Sequence, residues 1–290
     1  MQKINDSTLA ALEEMLQNSA RSAPLDFLPI FFMGAHAEKQ IIGHINPEFI
    51  AYIQDSLQEK KIAHIHIDHH GLFIDSVSPF LISASLTELA NRLRQAGFIP
   101  GWRNEEFAWI DHNGHAYFRL ERAAFRTLGL RSTASHINGF TKEGNLWLGR
   151  RSESKRTDPG LLDNLAAGGI AADETPWVCA VRELWEEAGV PPQLANQITP
   201  AGKVHMRRPI LGGGFHDEQL FIYDLALSSN FIPTNHDGEV SSFIEISLAE
   251  AAARILAEEF TTDAAFVTAD FILRSNKSSF PPLSSILWLN

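Results

Sequence analysis

The sequence contains little of what marks a secreted or membrane-spanning protein. It has one cysteine, Cys179, in 290 residues, which excludes an intramolecular disulfide and fits a reducing compartment. No apolar run is long enough to span a bilayer, and the first ten residues lack the basic and apolar regions of a secretion signal. A cytoplasmic location is therefore the expectation.

Positive charge is also scarce. The chain has 24 Lys and Arg against 35 Asp and Glu, a formal net charge of −11. Nucleic acids and anionic membranes are bound mainly by clustered basic side chains, so we expect neither as a partner. A small anionic substrate would have to be met locally, by a metal ion or a few cationic side chains.

Repeats, low-complexity segments and a proline- or serine-rich linker are missing as well. In the first part of the chain, Asn46 before Pro47 predicts a helix start, and the alternation over 62–68 predicts a strand. Ser85 with Glu88 has the spacing of a capping box and predicts another helix start there. The mixture indicates a small α/β unit.

The pattern changes near residue 121. A short helical segment is followed by two strand-like segments at 134–140 and 145–151, with Gly144 at the turn between them. We therefore predict an N-terminal α/β domain of uncertain role over residues 1–125 and a second domain over residues 126–290.

The second domain contains a well-marked helix. Thr175 is a favourable N-cap, Pro176 suits the first helical position, and Gly189 suits the left-handed position after the last turn. These signals predict a helix over 176–188, on which Trp177 and Leu184 belong to an apolar stripe.

Three glutamates, Glu183, Glu186 and Glu187, share another face of this helix at i, i+3 and i+4. Like charges at this spacing repel one another, and such a face is either solvated or neutralised by a cation. Hard divalent cations prefer oxygen ligands of this kind. The glutamates are therefore candidate metal ligands.

The helix and the loop before it resemble the Nudix box, G-x5-E-x7-R-E-U-x-E-E-x-G-U, where U is aliphatic. Each defined position of the box is matched without a gap, and a motif of this length is far more specific than a short glycine fingerprint. The matching residues are Gly168, Glu174, Arg182, Glu183, Leu184, Glu186, Glu187, Gly189 and Val190.

The resemblance implies a fold and a chemistry. Nudix hydrolases have an α/β/α sandwich with a mixed sheet, so the whole chain is expected to be of α+β class. Family members use Mg²⁺ or Mn²⁺ to hydrolyse a diphosphate linked to another moiety. The resemblance makes Glu183, Glu186 and Glu187 the metal ligands, with a backbone carbonyl near Gly168 as a further candidate.

Other box positions have expected roles as well. Glu174 and Arg182 are expected to form an ion pair that holds the loop against the helix, and Gly168 and Gly189 are expected to be structural. Cys179 lies on the box helix with no histidine adjacent in sequence, so a small buried residue is favoured over a nucleophile.

The general base is expected from a loop beyond the box. Glu239, before a predicted strand, is the candidate base, and Glu218 is the alternative. The box residues Glu186 and Glu187 are expected to be catalytic through the metal that they hold. Before the box, Arg150, Arg151 and Lys155 are candidates for binding a substrate phosphate.

Segments outside the box resemble a narrower Nudix subgroup that has an extra N-terminal domain and is fused in some fungi to thiamine pyrophosphokinase. They are WRNE at 102–105, ERAAFRTLGL at 121–130 and SHINGF at 135–140. That resemblance implies thiamine diphosphate, or an oxidised or damaged analogue, as substrate. Trp102, Trp147 or Phe140 is then a candidate for stacking on the heteroaromatic ring, although aromatic residues on strands are more often core.

Three alternatives stay open from the sequence. The first is a hydrolase of nucleoside diphosphate derivatives. The second is an enzyme like isopentenyl diphosphate isomerase, which shares the fold but needs a catalytic cysteine on a strand. The third is a non-catalytic ligand sensor. A homodimer is possible in each case.

Overall fold

The structure is a computed structural model that describes residues 3–33, 39–75, 77–111 and 114–277. In the first part of the chain, a four-stranded sheet of order β2-β1-β4-β3 packs with two helices, and a separate hairpin, β5-β6, follows. The bounds are α1 Asp6–Gln17, β1 Leu28–Met33, β2 Lys39–Ile45, α2 Pro47–Glu59, β3 Ile65–Asp68, β4 Gly71–Asp75, α3 Pro79–Gln95, β5 Glu106–Ile110, β6 Ala116–Glu121 and α4 Arg122–Thr127.

The second part is built on a seven-stranded mixed sheet. Its main path is β11-β12-β7-β8-β13, with β10 paired to β7 and β9 paired to β8. The predicted α+β class with an N-terminal α/β region is confirmed. The bounds are β7 Arg131–Thr141, β8 Asn145–Arg151, β9 Leu162–Asp163, β10 Ala166–Gly169, α5 Pro176–Ala188, α6 Pro192–Ala195, β11 Thr199–Pro209, β12 Phe215–Leu227, β13 Val240–Ser247, α7 Leu248–Leu256 and α8 Thr262–Asn276.

Helices α5 and α8 pack on opposite faces of this sheet. Tyr223 and Leu225 of β12 belong to the apolar cluster that contains α5 residues, whereas Leu220 and Ile222 pack with Val267 of α8. Because side chains alternate along a strand, the odd and even residues of β12 mark the two faces. The result is a three-layered sandwich with the predicted box helix in one outer layer.

The predicted box helix is confirmed at both ends. α5 spans Pro176–Ala188, the Thr175 hydroxyl accepts a hydrogen bond from the Val178 backbone N–H, and Gly189 has a φ of 63°. A residue with a side chain would be strained there, which explains the glycine.

One predicted helix start is wrong. Ser85 and Glu88 lie inside α3, whose N-cap is Ser78, with Pro79 at the first helical position. The Ser78 hydroxyl accepts from the Leu81 N–H, so the true start uses the same cap-and-proline signal as α2 and α5. A capping-box spacing inside a helix is therefore no evidence for its start.

Helix α1 packs away from its neighbours in sequence. Leu12 is completely buried in an apolar cluster with residues of β8, α7 and α8, such as Leu148, Ile255 and Ile272. The predicted domain boundary near 125 falls within α4 and stays a prediction. Among the described residues, no helix combines the length and the apolar character required to cross a membrane.

Candidate active site

The loop before α5 is tied to the helix by Arg182. Its guanidinium donates to both carboxylate oxygens of Glu174, with Nε to Oε1 at 2.6 Å and Nη2 to Oε2 at 2.9 Å. Hydrogen bonding from Arg182 lowers the pKa of Glu174, although burial opposes this. The structure therefore contains the expected pair in a two-pronged geometry that fixes the loop as well as the charge.

Arg182 also contacts two of the three box glutamates. Its Nη1 lies 2.6 Å from Oε1 of Glu183 and 3.0 Å from Oε2 of Glu186. The side chain of Glu183 is 11% exposed, whereas that of Glu186 is 41% exposed. Both carboxylates thus accept from the Arg182 guanidinium, and they differ strongly in access to water.

Glu183 and Glu187 are buried acids. Burial, together with the charges of Glu186 and Glu239, raises the pKa of Glu183 to about 7 against the opposing effect of Arg182. Burial and the charges of Glu183 and Asp163 raise the pKa of Glu187 well above its ordinary value. One Glu187 oxygen accepts a hydrogen bond from the Ala167 N–H at 2.8 Å. This bond lowers the pKa of Glu187 but does not outweigh burial and the neighbouring acids.

The close approach of the Glu183 side chain to the backbone of β10 explains the first glycine of the box. β10 pairs with β7, and a Cβ added to Gly168 would overlap the carboxylate of Glu183. The side chain of Glu183 therefore needs a residue without a Cβ at this position.

Cys179 is enclosed beneath the same strand. Its Sγ lies 3.4 Å from the Gly168 carbonyl oxygen and 3.5 Å from that of Gly169, and the residue is fully buried. Burial, with the charge of Glu183, raises the pKa of the thiol to about 12. A thiol with these properties is a poor nucleophile at neutral pH.

A loop beyond the box caps the other end of α5. The backbone N–H groups of Thr234 and His236 donate to the carbonyl oxygens of Ala188 and Glu186, at 3.0 and 2.8 Å. The Asn235 side chain also donates to the Glu187 carbonyl oxygen at 3.4 Å. These bonds use carbonyls that the helix itself leaves free and hold the following residues beside α5.

The capping loop brings two acids to Glu187. Glu187, Asp237 and Glu239 each place one carboxylate oxygen within 4.8 Å of the others. The Asp237 carboxylate accepts from the Glu239 N–H at 2.8 Å, which fixes the turn between them. The sequence prediction omitted Asp237, although an acid two residues before Glu239 was the available signal.

Lys155 lies against Glu239. Its Nζ forms an ion pair with Oε2 of Glu239, and the lysine side chain is 14% exposed. Burial raises the pKa of Glu239, but Lys155, with Arg103 and Arg151, outweighs it and holds the pKa below its ordinary value. Glu239 therefore remains ionised near neutral pH.

The two predicted phosphate-binding arginines hold the loop that contains Lys155. Arg150 donates to the Gly160 carbonyl oxygen at 2.7 Å. Arg151 donates to the Thr157 carbonyl oxygen and pairs with Asp163 at 2.8 Å. Their role in binding substrate stays a prediction.

The carboxylates suit a divalent cation. Glu183 and Glu187 are buried, their pKa values are raised, and Glu187 shows no ion pair with a cationic side chain in the described part of the chain. A divalent ion would supply the missing positive charge, and the donors are the oxygen atoms that Mg²⁺ and Mn²⁺ prefer. The assignment of individual ligands stays a prediction.

The alternative base does not belong to this site. Glu218 is on an even position of β12 and accepts from the Ser132 hydroxyl at 2.7 Å, on the α8 face of the sheet. Phe140 is buried in the apolar cluster that contains residues of α7 and α8, whereas Trp147 packs against the cluster that contains residues of α5.

Trp102 faces a cavity of about 480 Å³ beside the box loop. The Arg94 guanidinium lies 4.5 Å from the centre of the indole ring, and the indole N–H donates to Asn104 at 3.0 Å. Four acids, Glu105, Glu106, Glu121 and Asp173, complete much of the lining.

Comparison with known proteins gives a domain match and similar chains. The family model described as NUDIX domain matches residues 129–271. Two Arabidopsis thaliana proteins are similar over most of the chain: Nudix hydrolase 24, chloroplastic, at 35% identity over 82% of this chain and 66% of its own length, and Nudix hydrolase 20, chloroplastic, at 31% over 93% and 74%. A crystal structure from Deinococcus radiodurans covers 60% of this chain and 100% of its own at 21% identity, with a TM-score of 0.46.

Proposed function

The chain belongs to the Nudix hydrolase family, and on this premise we propose that it hydrolyses a diphosphate linked to another moiety with the help of Mg²⁺ or Mn²⁺. The observation that carries the proposal is the meeting of Glu187, Asp237 and Glu239 at the end of a helix with the complete box. Nudix hydrolases in general depend on divalent metal ions.

In this mechanism Glu183, Glu186 and Glu187 would hold the cation, with Asp237 as a further ligand. When bound, the cation neutralises phosphate oxygens and activates the attacking water. Glu239 accepts the proton of that water, and its lowered pKa keeps the carboxylate ionised and able to accept it. Lys155 holds the Glu239 carboxylate in place.

For the substrate, we favour thiamine diphosphate or an oxidised or damaged analogue, which would yield the monophosphate and phosphate. The cavity beside the box loop supports this proposal. It combines the ring of Trp102 with four acidic side chains, a lining that suits a cationic heteroaromatic group. Arg103, next to Trp102 in the sequence, is one of the cations that lower the pKa of Glu239.

The extra N-terminal region, whose role the sequence leaves open, would then help to select the substrate. Trp102, Glu105, Glu106 and Glu121 all come from that region, whereas Asp173 comes from the box loop.

The rival functions have less support. An isomerase of the isopentenyl diphosphate type needs a reactive cysteine, and burial makes Cys179 unreactive. A sensor without catalysis has no need for two buried acids of raised pKa beside a candidate base. Hydrolysis of nucleoside diphosphate derivatives remains the second candidate. The same glutamates would bind the metal, and the metal the diphosphate, for either substrate class.

The test is phosphate release from a panel of diphosphates with Mg²⁺ or Mn²⁺. The panel contains thiamine diphosphate, its oxidised forms, nucleoside diphosphate sugars and dinucleotides. We expect the highest kcat/KM for a thiamine-type compound and a loss of at least about 100-fold in kcat for Glu187→Gln.

Glu245→Gln is the matched control, because Glu245 is an exposed acid on β13 bonded to Asn145. It should keep wild-type activity. Turnover of Glu187→Gln at the wild-type rate would refute the hydrolytic mechanism, whereas a clear preference for another diphosphate would refute only the substrate class.

A further inference from the structure

A second cluster of metal-ligand side chains lies on the other side of the sheet. His216 and Glu218 are two residues apart on β12, and Asp263 lies in the first turn of α8. One ligand atom from each lies within 4.8 Å of the other two. His216 is fully buried and Glu218 is 6% exposed.

This cluster is separate from the candidate active site. Its β12 residues are at even positions, as are Leu220 and Ile222, which pack against α8. The glutamates of α5 lie across the opposite face, where odd residues such as Tyr223 point. The sheet therefore separates the two groups of carboxylates.

The polar atoms of the cluster are incompletely satisfied. His216 Nε2 lies 3.4 Å from Glu218 Oε2 and 3.6 Å from Asp263 Oδ2, which is too long for good hydrogen bonds. Neither ring nitrogen of His216, nor Oδ1 of Asp263, has a hydrogen-bond partner among the described residues. Burying such groups without partners costs free energy, so the arrangement points to a missing ligand.

One carboxylate is already oriented for this ligand. Oε1 of Glu218 accepts from the Ser132 hydroxyl at 2.7 Å, which leaves Oε2 directed at the imidazole. Bonds of this kind hold metal ligands in position.

The spacing suits a small divalent ion. Ligand atoms about 2.0–2.1 Å from a tetrahedral zinc ion are separated from one another by about 3.3–3.4 Å. Both Nε2-to-oxygen distances in the cluster are close to that separation. The ion would lie between the atoms that now fail to bond.

The charge of the donors agrees with this assignment. A neutral imidazole with two carboxylates has a charge of −2, which a divalent ion balances. One nitrogen and two oxygen donors favour Zn²⁺ or a similar transition-metal ion over Mg²⁺.

We propose that His216, Glu218 and Asp263 form a second divalent-metal site, of structural type, that joins the start of β12 to the first turn of α8. The site takes Zn²⁺ or an ion of similar preference. It is independent of the proposed hydrolytic reaction.

The test uses the full-length chain with Glu187→Gln and Glu239→Gln, which weaken binding at the candidate active site. The metal-free protein is titrated with Zn²⁺ by calorimetry and with Co²⁺ by visible absorption. We expect one tightly bound equivalent, a Co²⁺ spectrum of low-symmetry coordination and a higher Tm in the presence of Zn²⁺.

Adding His216→Gln should weaken Zn²⁺ binding by at least about 100-fold and abolish the Co²⁺ spectrum. Asp263→Asn is a second variant at a more exposed position, with 20% of the side chain accessible, and should weaken binding if His216→Gln fails to fold. His205→Gln is the matched control, since His205 pairs with Asp217 at 2.8 Å on the neighbouring strands and should leave binding unchanged.

Two outcomes would overturn the proposal. The first is no Zn²⁺ or Co²⁺ binding at millimolar metal in the full-length background protein. The second is binding that is unaltered by both His216→Gln and Asp263→Asn. A protonated His216 held between the two carboxylates would give the first outcome.

Discussion

Glu187 and Glu239 are neighbours whose carboxylates experience opposite environments. Burial and nearby acids raise the pKa of Glu187, whereas Lys155 and two arginines lower that of Glu239. Glu187 therefore needs a cation to remain ionised, whereas Glu239 is already paired with Lys155. Acids with environments this different are typical of sites that divide metal binding and proton transfer between residues.

Cys179 should be chemically inert in the folded protein. Because the thiol is buried and its pKa is raised to about 12, we expect no reaction with iodoacetamide at pH 8 over hours. In denaturant the same thiol should be alkylated completely, as measured by intact mass. Rapid labelling of the native protein would show that the box helix opens or that the thiol is ionised.

Trp102 should affect substrate affinity more than turnover. Removing its ring with Trp102→Ala deletes one wall of the cavity, and we expect KM for the preferred substrate to rise roughly 3- to 30-fold with kcat nearly constant. Trp102→Phe retains a ring and should restore part of the affinity. An unchanged KM in steady-state kinetics would place the substrate elsewhere.

At the scale of elements, α5 is held at both ends by loops that carry functional groups. The preceding loop is anchored through Glu174 and Arg182, and the later loop at 234–236 caps the final turn. The same contacts that complete the helix thus bring Asp237 and Glu239 to Glu187.

The anchor of the first loop can be tested with two arginines. Arg182→Gln removes bonds to Glu174, Glu183 and Glu186, and we expect the free energy of unfolding to fall by about 2 kcal/mol, with weaker metal binding. Denaturant unfolding and calorimetry measure the two effects.

Arg119→Gln is the control, because it removes an exposed pair with Asp173 in the same loop. Exposed pairs contribute little, so stability should be unchanged. Equal effects of the two substitutions would contradict the role assigned to Arg182.

Helix starts were predictable where a cap residue precedes a proline, and α5 and α2 begin at the predicted residues. Strand β11 was not predicted, because its buried and exposed residues show no clear alternation. Its place at the edge of the sheet depends on β12.

At the scale of the molecule, the first helix belongs to the core formed by the last ones. Leu12 of α1 is buried with residues of α7 and α8, although more than 200 residues separate them in the sequence. The N-terminal region also provides most of the cavity beside the box loop. Helix α1 and the pair α7 and α8 therefore depend on each other for packing.

Leu12→Ala should destabilise the second part of the chain. The substitution leaves a cavity in the core where the Leu12 side chain packs. We therefore expect the free energy of unfolding to fall by about 2–4 kcal/mol in denaturant titrations. Leu25→Ala, at a fully exposed leucine, should have no effect. A fragment of residues 126–290 with the same Tm as the full chain would contradict this dependence and favour an autonomous second domain.

The box and its helix could be read from the sequence, because helix capping and the shared face of neighbouring glutamates are local properties of a few adjacent residues. The class of chemistry followed from the resemblance to the Nudix box. Which distant acids join the box glutamates depended on tertiary packing. Asp237 and Glu239 reach Glu187 through backbone bonds to the end of α5, and Glu218 is excluded because strand alternation turns it to the other face of the sheet. Such placements depend on the packing of the sheet between its two layers of helices, which no local pattern specifies.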